Sequence, residues 1–373
     1  MIERKLKEIL LSHFNQGKAL IIYGPRQTGK TTLLKMLGEV IAEKVLYLNC
    51  DEPDVRGMLE GANSSSLKKI IGNSKVVAID EGQRVRDIGL SLKLITDQVH
   101  DVQLIVTGSS SLELSGSLNE PLTGRKFEYM LLPFSVGELA ADHGVLEENR
   151  LLEDRLIYGM YPDIVTGEEF RIEKLLNLAG SYLYKDIFTF RDVRKPEVIE
   201  KLLQALALQM GSEVSYKELS GLLGIDYHTV TSYIDLLEKS FVVFRLPAFS
   251  RNLRSELKKS RKIYFYDNGI RNAIIKNFNP LNLRQDKGAL WENYLVSERK
   301  KYLVNNNIYA DLYFWRTRNQ QEIDLIEISG SDIYAYEFKW QPDKKYKLPN
   351  AFSEAYSASF QLISKDNYLD FLL

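Results

Sequence analysis

The first 135 residues alternate short apolar runs with longer amphipathic stretches. Continuous apolar runs occur at 19–23, 45–48, 76–79 and 104–106, and such runs predict strands that are buried on both faces. Between these runs, apolar residues recur three and four positions apart, which predicts helices. The alternation of buried strands and amphipathic helices predicts an α/β domain with a parallel sheet.

A glycine-containing segment, Gly24-Pro25-Arg26-Gln27-Thr28-Gly29-Lys30-Thr31, follows the first of these strands. It matches the template G-x-x-x-x-G-K-[ST] of a phosphate-binding loop at every fixed position. The glycines let backbone N–H groups approach one anion, Lys30 would reach the outer phosphates, and Thr31 would be a ligand of Mg²⁺. The alternative, a turn with a surface lysine, leaves the flanking strand and helix unexplained. The predicted nucleotide-binding residues are Gly24, Pro25, Arg26, Gln27, Thr28, Gly29, Lys30, Thr31 and Thr32.

Polar side chains also follow two of the later strands. Asp80 and Glu81 end the run at 76–79, where ligands of open parallel sheets lie. Asp80 is predicted to hold the hydration shell of Mg²⁺, and Glu81 to polarise the attacking water. Ser109 follows the run at 104–106 and is a candidate sensor of the terminal phosphate. The alternatives are an acidic pair that caps a strand and a serine-rich turn.

These segments resemble the AAA+ ATPases of prokaryotes that carry a second, poorly understood C-terminal region. The shared elements are G-P-R-Q-x-G-K-T-T at 24–32, I-D-E-x-Q at 79–83 and T-G-S-S at 107–110. The resemblance implies binding of ATP or ADP with Mg²⁺, and ATP hydrolysis. A further element at 122–125 ends in Arg125, which the resemblance makes a candidate arginine finger for a neighbouring subunit of a homo-oligomer. The alternative is an ordinary surface charge.

Composition is that of a large intracellular enzyme. The 373 residues carry a formal net charge of −1, so any attraction to nucleic acid must come from a local basic surface. A single cysteine, Cys50, fits a reducing, cytoplasmic compartment. No apolar stretch approaches the roughly 18 residues of a membrane span, and the N-terminus lacks the apolar core of a signal peptide. We therefore expect no membrane partner.

Residues 136–195 are mostly helical in pattern and, by the resemblance, form a lid over the nucleotide, whereas 196–266 predict a winged helix-turn-helix. In the helix that opens at Asp226, apolar residues at one-face spacing are buried. The outward face of this predicted recognition helix carries His228, Thr229, Thr231 and Ser232. The basic residues that could contact DNA phosphates are Arg251, Arg254, Lys258, Lys259, Arg261 and Lys262. A protein-docking role of the same module is the alternative.

Residues 267–373 follow the order helix, acid, hairpin and Glu-x-Lys, which resembles the core of PD-(D/E)XK nucleases. That likeness makes Asp324 and Glu337 ligands of a second Mg²⁺, Lys339 the catalytic lysine and Glu292 an auxiliary acid. The proline of the motif is absent, because Glu322-Ile323 precedes Asp324. The alternatives are a half-exposed strand and a nuclease-like fold that binds but does not cleave.

The sequence thus predicts an α/β chain of four parts. These are a P-loop AAA+ core with a parallel sheet (1–135), a helical lid (136–195), a winged helix (196–266) and a restriction-endonuclease-like domain (267–373). The predicted function is a Mg²⁺-dependent ATPase whose nucleotide state controls engagement of DNA. The alternative function is a nucleotide-switched regulatory or protein-docking factor with an inactive nuclease-like fold.

Overall fold

A computed structural model describes residues 1–99, 101–109, 121–182, 187, 195–250, 261–317, 319–342 and 346–373, with the side chains of 181 and 182 left aside. The described residues divide into two compact units. The first contains 1–133 with 239–241, and the second contains 134–238 with 242–373. In the described residues, no helix is both long enough and apolar enough to cross a membrane.

The first unit is an α/β structure on a five-stranded sheet in which every neighbouring pair is parallel. The predicted parallel sheet is therefore confirmed. Its strands are β1 (Ala19–Tyr23), β2 (Val45–Asn49), β3 (Val76–Asp80), β4 (Gln103–Gly108) and β5 (Lys126–Met130). Its helices are α1 (Lys5–Ser12), α2 (Lys30–Val40), α3 (Pro53–Leu59), α4 (Ser64–Ile71) and α5 (Ile88–Gln98). A 3₁₀ turn at Gly82–Arg84 follows β3.

The strand order β2-β3-β4-β1-β5 brings the polar strand ends together. β1, β3 and β4 are buried at every position, as their continuous apolar sequences require. Because β4 pairs with both β1 and β3, the residues at its carboxyl end lie between the phosphate-binding loop and Asp80. Leucines of α1 and α2 pack on this sheet in one apolar core.

The second unit begins with helices and continues into two sheets. The helices that precede the sheets are α6 (Val136–His143), α7 (Val145–Arg150), α8 (Leu152–Tyr158), α9 (Pro162–Val165), α10 (Arg171–Asn177), a π-helical turn (Leu178–Tyr182) and α11 (Pro196–Leu208). The later helices are α12 (Tyr216–Leu223), α13 (Tyr227–Lys239), α14 (Asn268–Ile274), α15 (Lys287–Asn305), α16 (Asn350–Ser353) and α17 (Tyr368–Leu372), with a 3₁₀ turn at Leu281–Leu283.

Both sheets of this unit are small. The three-stranded sheet has the order β6-β8-β7 with antiparallel pairs, and its strands are β6 (Glu213–Val214), β7 (Val243–Pro247) and β8 (Arg261–Phe265). The four-stranded sheet has the order β12-β11-β10-β9, and its strands are β9 (Asp311–Arg316), β10 (Glu322–Ser329), β11 (Asp332–Phe338) and β12 (Ser359–Ile363). The backbone N–H of Phe249 donates to the carbonyl oxygen of Phe314 at 2.7 Å, which links the chain after β7 to β9.

Two features of the four-stranded sheet matter for function. The pairing of β10 with β9 shifts register between Ile323 and Ile326, so one extra residue of β10 forms a β-bulge around Asp324. Bulges of this kind re-aim a side chain. The hairpin between β10 and β11 turns at Gly330, whose φ is 61°. This turn belongs to the hairpin that the sequence predicts between the acid and the Glu-x-Lys segment.

Buried charges of the second unit are paired. Asp286 accepts hydrogen bonds from Arg284 at 2.8 Å and from Arg271 at 2.5 Å. Burial opposes ionisation of Asp286, but the two guanidinium groups outweigh it and lower its pKa to about 2. Arg299 pairs in the same way with Glu327 at 2.7 Å.

Candidate active site

The phosphate-binding loop lies between β1 and α2. At Gly24 a Cβ atom would lie 2.0 Å from the carbonyl oxygen of Leu131, so only glycine fits there. Gly29 precedes α2 with a φ of 90°, a conformation that glycine adopts at no steric cost. Because α2 begins at Lys30, its first N–H groups and its positive dipole end are at the loop.

The side chains of the loop are held by its own backbone. Lys30 is buried, and its ammonium donates to the carbonyl oxygens of Gly24 at 2.9 Å and Pro25 at 2.7 Å. Thr28 is also buried and donates to Pro25 at 2.8 Å. Of the remaining predicted loop residues, Arg26 is half-buried, whereas Gln27, Thr31 and Thr32 are exposed. The loop is thus already folded around Lys30.

A residue far from the motif also holds this loop. Arg4 is 5% exposed and donates to the carbonyl oxygen of Thr28 at 2.8 Å and to that of Leu132 at 2.7 Å. Thr28 lies in the loop that follows β1, and Leu132 lies just after the end of β5. Arg4 therefore fastens the loop to the edge of the sheet on which it lies.

Asp80 stands at the centre of a hydrogen-bond network at the strand ends. One carboxylate oxygen accepts from the hydroxyls of Thr31 at 2.7 Å and Tyr47 at 2.6 Å, and the other accepts from Thr107. These donors come from α2, β2 and β4, on both sides of β3. Burial and the hydrogen bond to Asp80 raise the pKa of Tyr47 well above its ordinary value, so Tyr47 remains a donor. The sequence-predicted pair Thr31 and Asp80 is in direct contact.

Glu81 is held in a left-handed conformation with a φ of 54°. Its backbone N–H donates to the hydroxyl of Thr107 at 3.2 Å. The side-chain amide of Gln83 donates to Glu81 at 2.6 Å and to the hydroxyl of Ser109 at 2.9 Å. The structure therefore brings Glu81 and Ser109 together through Gln83, as expected for residues at adjacent strand ends.

Arg125 lies just before β5. Its guanidinium is 40% exposed and pairs with Asp97 at 2.6 Å. In the described residues, no contact joins Arg125 to Lys30, Asp80 or Glu81. Its role as an arginine finger for a neighbouring subunit remains a prediction.

The donor set of this site fits a magnesium nucleotide. A hydroxyl and a carboxylate, Thr31 and Asp80, are within 2.7 Å of each other, and oxygen ligands of this kind are those that Mg²⁺ prefers. The ammonium of Lys30 and the N-terminus of α2 supply positive charge on the same side. Glu81 follows Asp80 directly and is half-buried, which suits a group that orients water.

The segment predicted as a winged helix, 196–266, contains α11, α12 and α13 and the three-stranded antiparallel sheet. Asp226 caps α13, accepting from the backbone N–H of Thr229 at 3.0 Å. Val230, Tyr233, Ile234 and Leu237 of α13 are buried. Of the predicted recognition residues, His228 and Ser232 are exposed, and Thr229 and Thr231 are half-buried. Two of the four residues are thus fully exposed, and contact of this face with DNA stays a prediction.

Of the predicted basic surface, the structure describes Arg261 and Lys262. Arg251, Arg254, Lys258 and Lys259 lie outside the described residues. Arg261 is half-buried, and its guanidinium lies 5.7 Å from the ring centre of Tyr216.

The prediction that Lys262 contacts DNA phosphates is wrong. Its side chain is 1% exposed and pairs with Glu292 at 2.8 Å and Glu322 at 2.5 Å. A strand that is buried from its second residue leaves no surface for this side chain, so Lys262 points into the protein rather than toward solvent.

The four predicted nuclease-like residues share one region of the second unit. Lys339 lies 2.6 Å from Glu337 and 3.7 Å from Asp324, which also accepts from the backbone N–H of Phe338 at 2.8 Å. Burial and then the charge of Asp324 raise the pKa of Glu292 to about 7. The same two causes, in the same order, raise the pKa of Glu337. We call Glu292, Glu322, Asp324 and Glu337 the acid cluster.

The carboxylates of the acid cluster are held by cations, and the second Mg²⁺ at Asp324 and Glu337 stays a prediction. Across the part of the chain that the structure describes, no three His, Cys, Asp or Glu side chains are grouped so as to hold a metal. Two ammonium groups, those of Lys262 and Lys339, lie against the carboxylates instead. Burial opposes the charge on Lys339, but Asp324 and Glu337 outweigh it and raise the pKa of this lysine.

Comparison with known proteins bears on each part of the chain. Residues 16–140 match the family model for the AAA domain. Residues 149–281 and 287–368 match two models described as domains of unknown function, DUF8612 and DUF4143. Together with the parallel sheet and the phosphate-binding loop, the first match shows that the N-terminal part is an AAA-type domain of P-loop architecture, as predicted. The models for the later parts identify neither a winged helix nor a nuclease.

Relatives extend along most of the chain. An uncharacterized protein of Mycobacterium tuberculosis is 28% identical over 331 residues, covering 87% of this chain and 71% of the relative. An uncharacterized protein of Haemophilus influenzae is 25% identical over 380 residues, covering 95% of this chain and 88% of the relative. The three parts therefore occur together in proteins of other organisms.

Two solved structures show local similarity. One is a signal transduction ATPase with numerous domains from Pyrococcus horikoshii, with 12% identity and a TM-score of 0.30 over 82% of this chain and 47% of that chain. The other is from a study of katanin self-assembly, with 13% identity and a TM-score of 0.29 over 43% of this chain and 57% of that chain. At these TM-scores, the similarity does not identify a function.

Several site residues have no signal in the motifs. Tyr47, on the neighbouring strand β2, donates to Asp80. Arg4, directly before α1, donates to the loop at Thr28. Gln83 is part of the I-D-E-x-Q segment, so its contact with Glu81 could have been proposed from the sequence. Lys262 and Tyr264 are two residues apart on β8 and both contact Glu292, which strand periodicity could have suggested.

Proposed function

We propose that this protein is a Mg²⁺-dependent ATPase of AAA+ type whose nucleotide state controls DNA engagement by its second unit. The observation that carries the first part is the contact of Thr31 with Asp80 beside the buried Lys30 and the start of α2. A turn that merely connected a strand and a helix would need neither a buried ammonium nor a carboxylate aimed at the hydroxyl of Thr31.

Each residue of this site has a role in the proposal. Lys30 and the N–H groups at the start of α2 bind the phosphates. Thr31 and Asp80 would hold Mg²⁺, which neutralises charge on the phosphates when it is bound. Glu81 orients and polarises the attacking water, and Gln83 holds the Glu81 carboxylate by a hydrogen bond while also donating to Ser109. Tyr47 and Thr107 keep Asp80 aimed at the same place.

Arg125 belongs to the same proposal as a group that acts on the nucleotide of a neighbouring subunit. The side chains of Arg125 and Asp97 are 40% and 29% exposed, so water can reach both groups when the pair opens. We expect Arg125→Ala to lower ATP turnover and Lys30→Ala to abolish it. Turnover that Arg125→Ala leaves unchanged would refute the finger role and leave the ATP site standing.

DNA engagement is proposed for the outward face of α13. His228 and Ser232 are exposed in its N-terminal half. A helix that presents small polar side chains in this way can enter the major groove of DNA. Basic residues at 251–260, beyond those that the structure describes, would supply contacts to phosphates.

The test of this part is ATP turnover of the full chain with and without duplex, single-stranded and branched DNA. We expect DNA to stimulate turnover, with an effect that weakens as salt rises. Ser232→Glu should lower this stimulation about tenfold, because a carboxylate on the reading face repels phosphate. Ser353→Glu, the same change at an exposed position of α16, is the matched control. Turnover that ignores every form of DNA would refute DNA engagement.

A second candidate function is a nucleotide-switched regulatory or protein-docking factor with an inactive nuclease-like fold. The pairing of the acid cluster with Lys262 and Lys339 favours it, because carboxylates neutralised by lysines are poor ligands for a catalytic metal. Indifference of ATP turnover to DNA, together with a protein that co-purifies in an ATP-dependent manner, would select this function. A cytoplasmic location belongs to both proposals and rests on the single, buried Cys50.

A further inference from the structure

Lys262 is a buried cation that the ATPase proposal does not use. It is the second residue of β8, and its side chain is 1% exposed. Its ammonium lies 2.8 Å from Glu292 of α15 and 2.5 Å from Glu322 of β10. The face of the Phe314 ring lies 5.6 Å away and closes a further side.

The groups around Lys262 come from α15, β9 and β10. Glu292 also accepts from the hydroxyl of Tyr264 at 2.6 Å. Glu322 lies 3.6 Å from the guanidinium of Arg316. The rest of the acid cluster, Asp324 and Glu337, is bound to Lys339. Four carboxylates thus face three cations, and Lys262 is the most buried of these cations.

Carboxylate oxygens that hold an ammonium are the oxygens that a divalent metal would need. A metal shared by Glu292 and Asp324 would have to compete with Lys262 for Glu292 and with Lys339 for Asp324. Lys262 is covalently part of the fold, so its local concentration at the cluster is constant and high. Its charge is also favoured there, because Glu292, Asp324 and Glu322 outweigh the effect of burial on its pKa.

We propose that Lys262 is the built-in cation of the acid cluster: its ammonium takes the place of a divalent metal, keeps the cluster metal-free and fastens β8 to α15 and β10. The cluster is then a structural clasp between the three-stranded sheet and the four-stranded sheet. Removal of the lysine should leave carboxylates without their counter-charge and so create a metal site. This inference does not depend on the proposed ATPase, because it concerns only residues of the second unit.

The test is binding of Mn²⁺, without nucleotide, followed by calorimetry and by the electron paramagnetic resonance signal of free Mn²⁺. Four forms of the full chain are compared: wild type, Asp324→Asn, Lys262→Met and the double variant. We expect wild type and Asp324→Asn to bind Mn²⁺ equally. Lys262→Met should gain one Mn²⁺ site, and the double variant should lose it. Any Mn²⁺ at the ATP site is common to all four forms and cancels in the comparison.

Thermal unfolding gives an independent readout. Lys262→Met should lower Tm by roughly 10 °C, because it leaves Glu292 without its cation. Mn²⁺ should raise the Tm of Lys262→Met and so restore part of this loss. In wild type, Mn²⁺ should cause no change in Tm through the acid cluster. Lys262→Arg, which keeps the charge, should gain no Mn²⁺ site.

Two results would overturn the inference. One is a Mn²⁺ site in wild type that Asp324→Asn removes, since the lysine would then not exclude the metal. The other is a folded Lys262→Met variant without a new Mn²⁺ site. If Lys262→Met does not fold, the comparison of wild type with Asp324→Asn alone decides the matter.

Discussion

Arg4 offers the sharpest test of how the phosphate-binding loop is held. Arg4→Met keeps much of the apolar length of the side chain but removes the donors to the carbonyl oxygens of Thr28 and Leu132, at 2.8 Å and 2.7 Å. Hydrogen bonds from a charged donor contribute about 1.5–3 kcal/mol each. Both acceptors lie in a buried environment, because Thr28 is 0% and Leu132 is 4% exposed.

The free energy lost with these two hydrogen bonds is divided between the stability of the first unit and its affinity for nucleotide. Part of it lowers the stability of the first unit, and the rest is the cost of ordering the loop when nucleotide binds. We expect the affinity for MgATP to fall by about 1–3 kcal/mol, which is roughly five- to 150-fold. The assay is isothermal titration calorimetry with MgATP on variants whose circular dichroism matches that of wild type.

Lys7→Met is the matched control for Arg4→Met. Lys7 lies in α1, which begins directly after Arg4, and its ammonium pairs with the exposed Glu3 at 2.7 Å, so its loss should change affinity by less than twofold. Arg4→Met that is folded and binds MgATP within twofold of wild type would refute the view that Arg4 orders the loop.

Three further predictions concern single side chains. Gly24→Ala should abolish MgATP binding in calorimetry, because its Cβ would lie 2.0 Å from the carbonyl oxygen of Leu131. Gly38→Ala in α2 should bind normally, because the Cβ added there would meet no neighbouring atom within 4 Å outside the backbone of its own helix. Gln83→Leu should lower ATP turnover about tenfold with MgATP affinity unchanged, because Glu81 loses its 2.6 Å hydrogen bond; equal turnover would show that Gln83 does not position Glu81. Asp286→Asn should cost about 2 kcal/mol of unfolding free energy at neutral pH, because the pKa of Asp286 is lowered from 3.8 to about 2. Denaturant melts should show this difference shrinking as pH falls from about 4 to about 2, where wild type becomes protonated, and a difference that persists at pH 2 would contradict the assignment.

The features that the sequence predicts well are local in the chain. The phosphate-binding loop is one contiguous motif, and its glycines are required by the close approach at Leu131 and by the φ of Gly29. Asp80 and Glu81 are predictable because a continuous apolar strand leads to them and ligands gather at the carboxyl ends of parallel strands. In these cases the chemistry and the local backbone are encoded by the same few residues.

Contacts between distant segments are not readable in this way. Arg4 is 24 residues from Thr28 and 128 from Leu132, and nothing in its neighbourhood marks it as part of a nucleotide site. Tyr47 reaches Asp80 only because β2 pairs with β3 in a particular register. Pairing and register depend on the whole sheet, so these residues emerge only from the folded structure.

Lys262 shows how a charge pattern misleads. It ends a run of basic residues, which predicts a solvated or DNA-binding surface, yet it is also the second residue of a strand whose next three residues are buried. The environment of the strand determines that Lys262 is buried, because the acid cluster supplies carboxylates at 2.8 Å and 2.5 Å from its ammonium. Those carboxylates come from residues 30 and 60 positions further along the chain, Glu292 and Glu322.

The most direct test of the central claim is calorimetric titration of MgATP into the full chain, combined with release of phosphate from the same sample. Wild type should bind and turn over ATP. Glu81→Gln should bind ATP with little turnover, and Lys30→Ala should do neither. Well-folded wild type that takes up neither ATP nor ADP would contradict the account of the first unit as a nucleotide-binding domain.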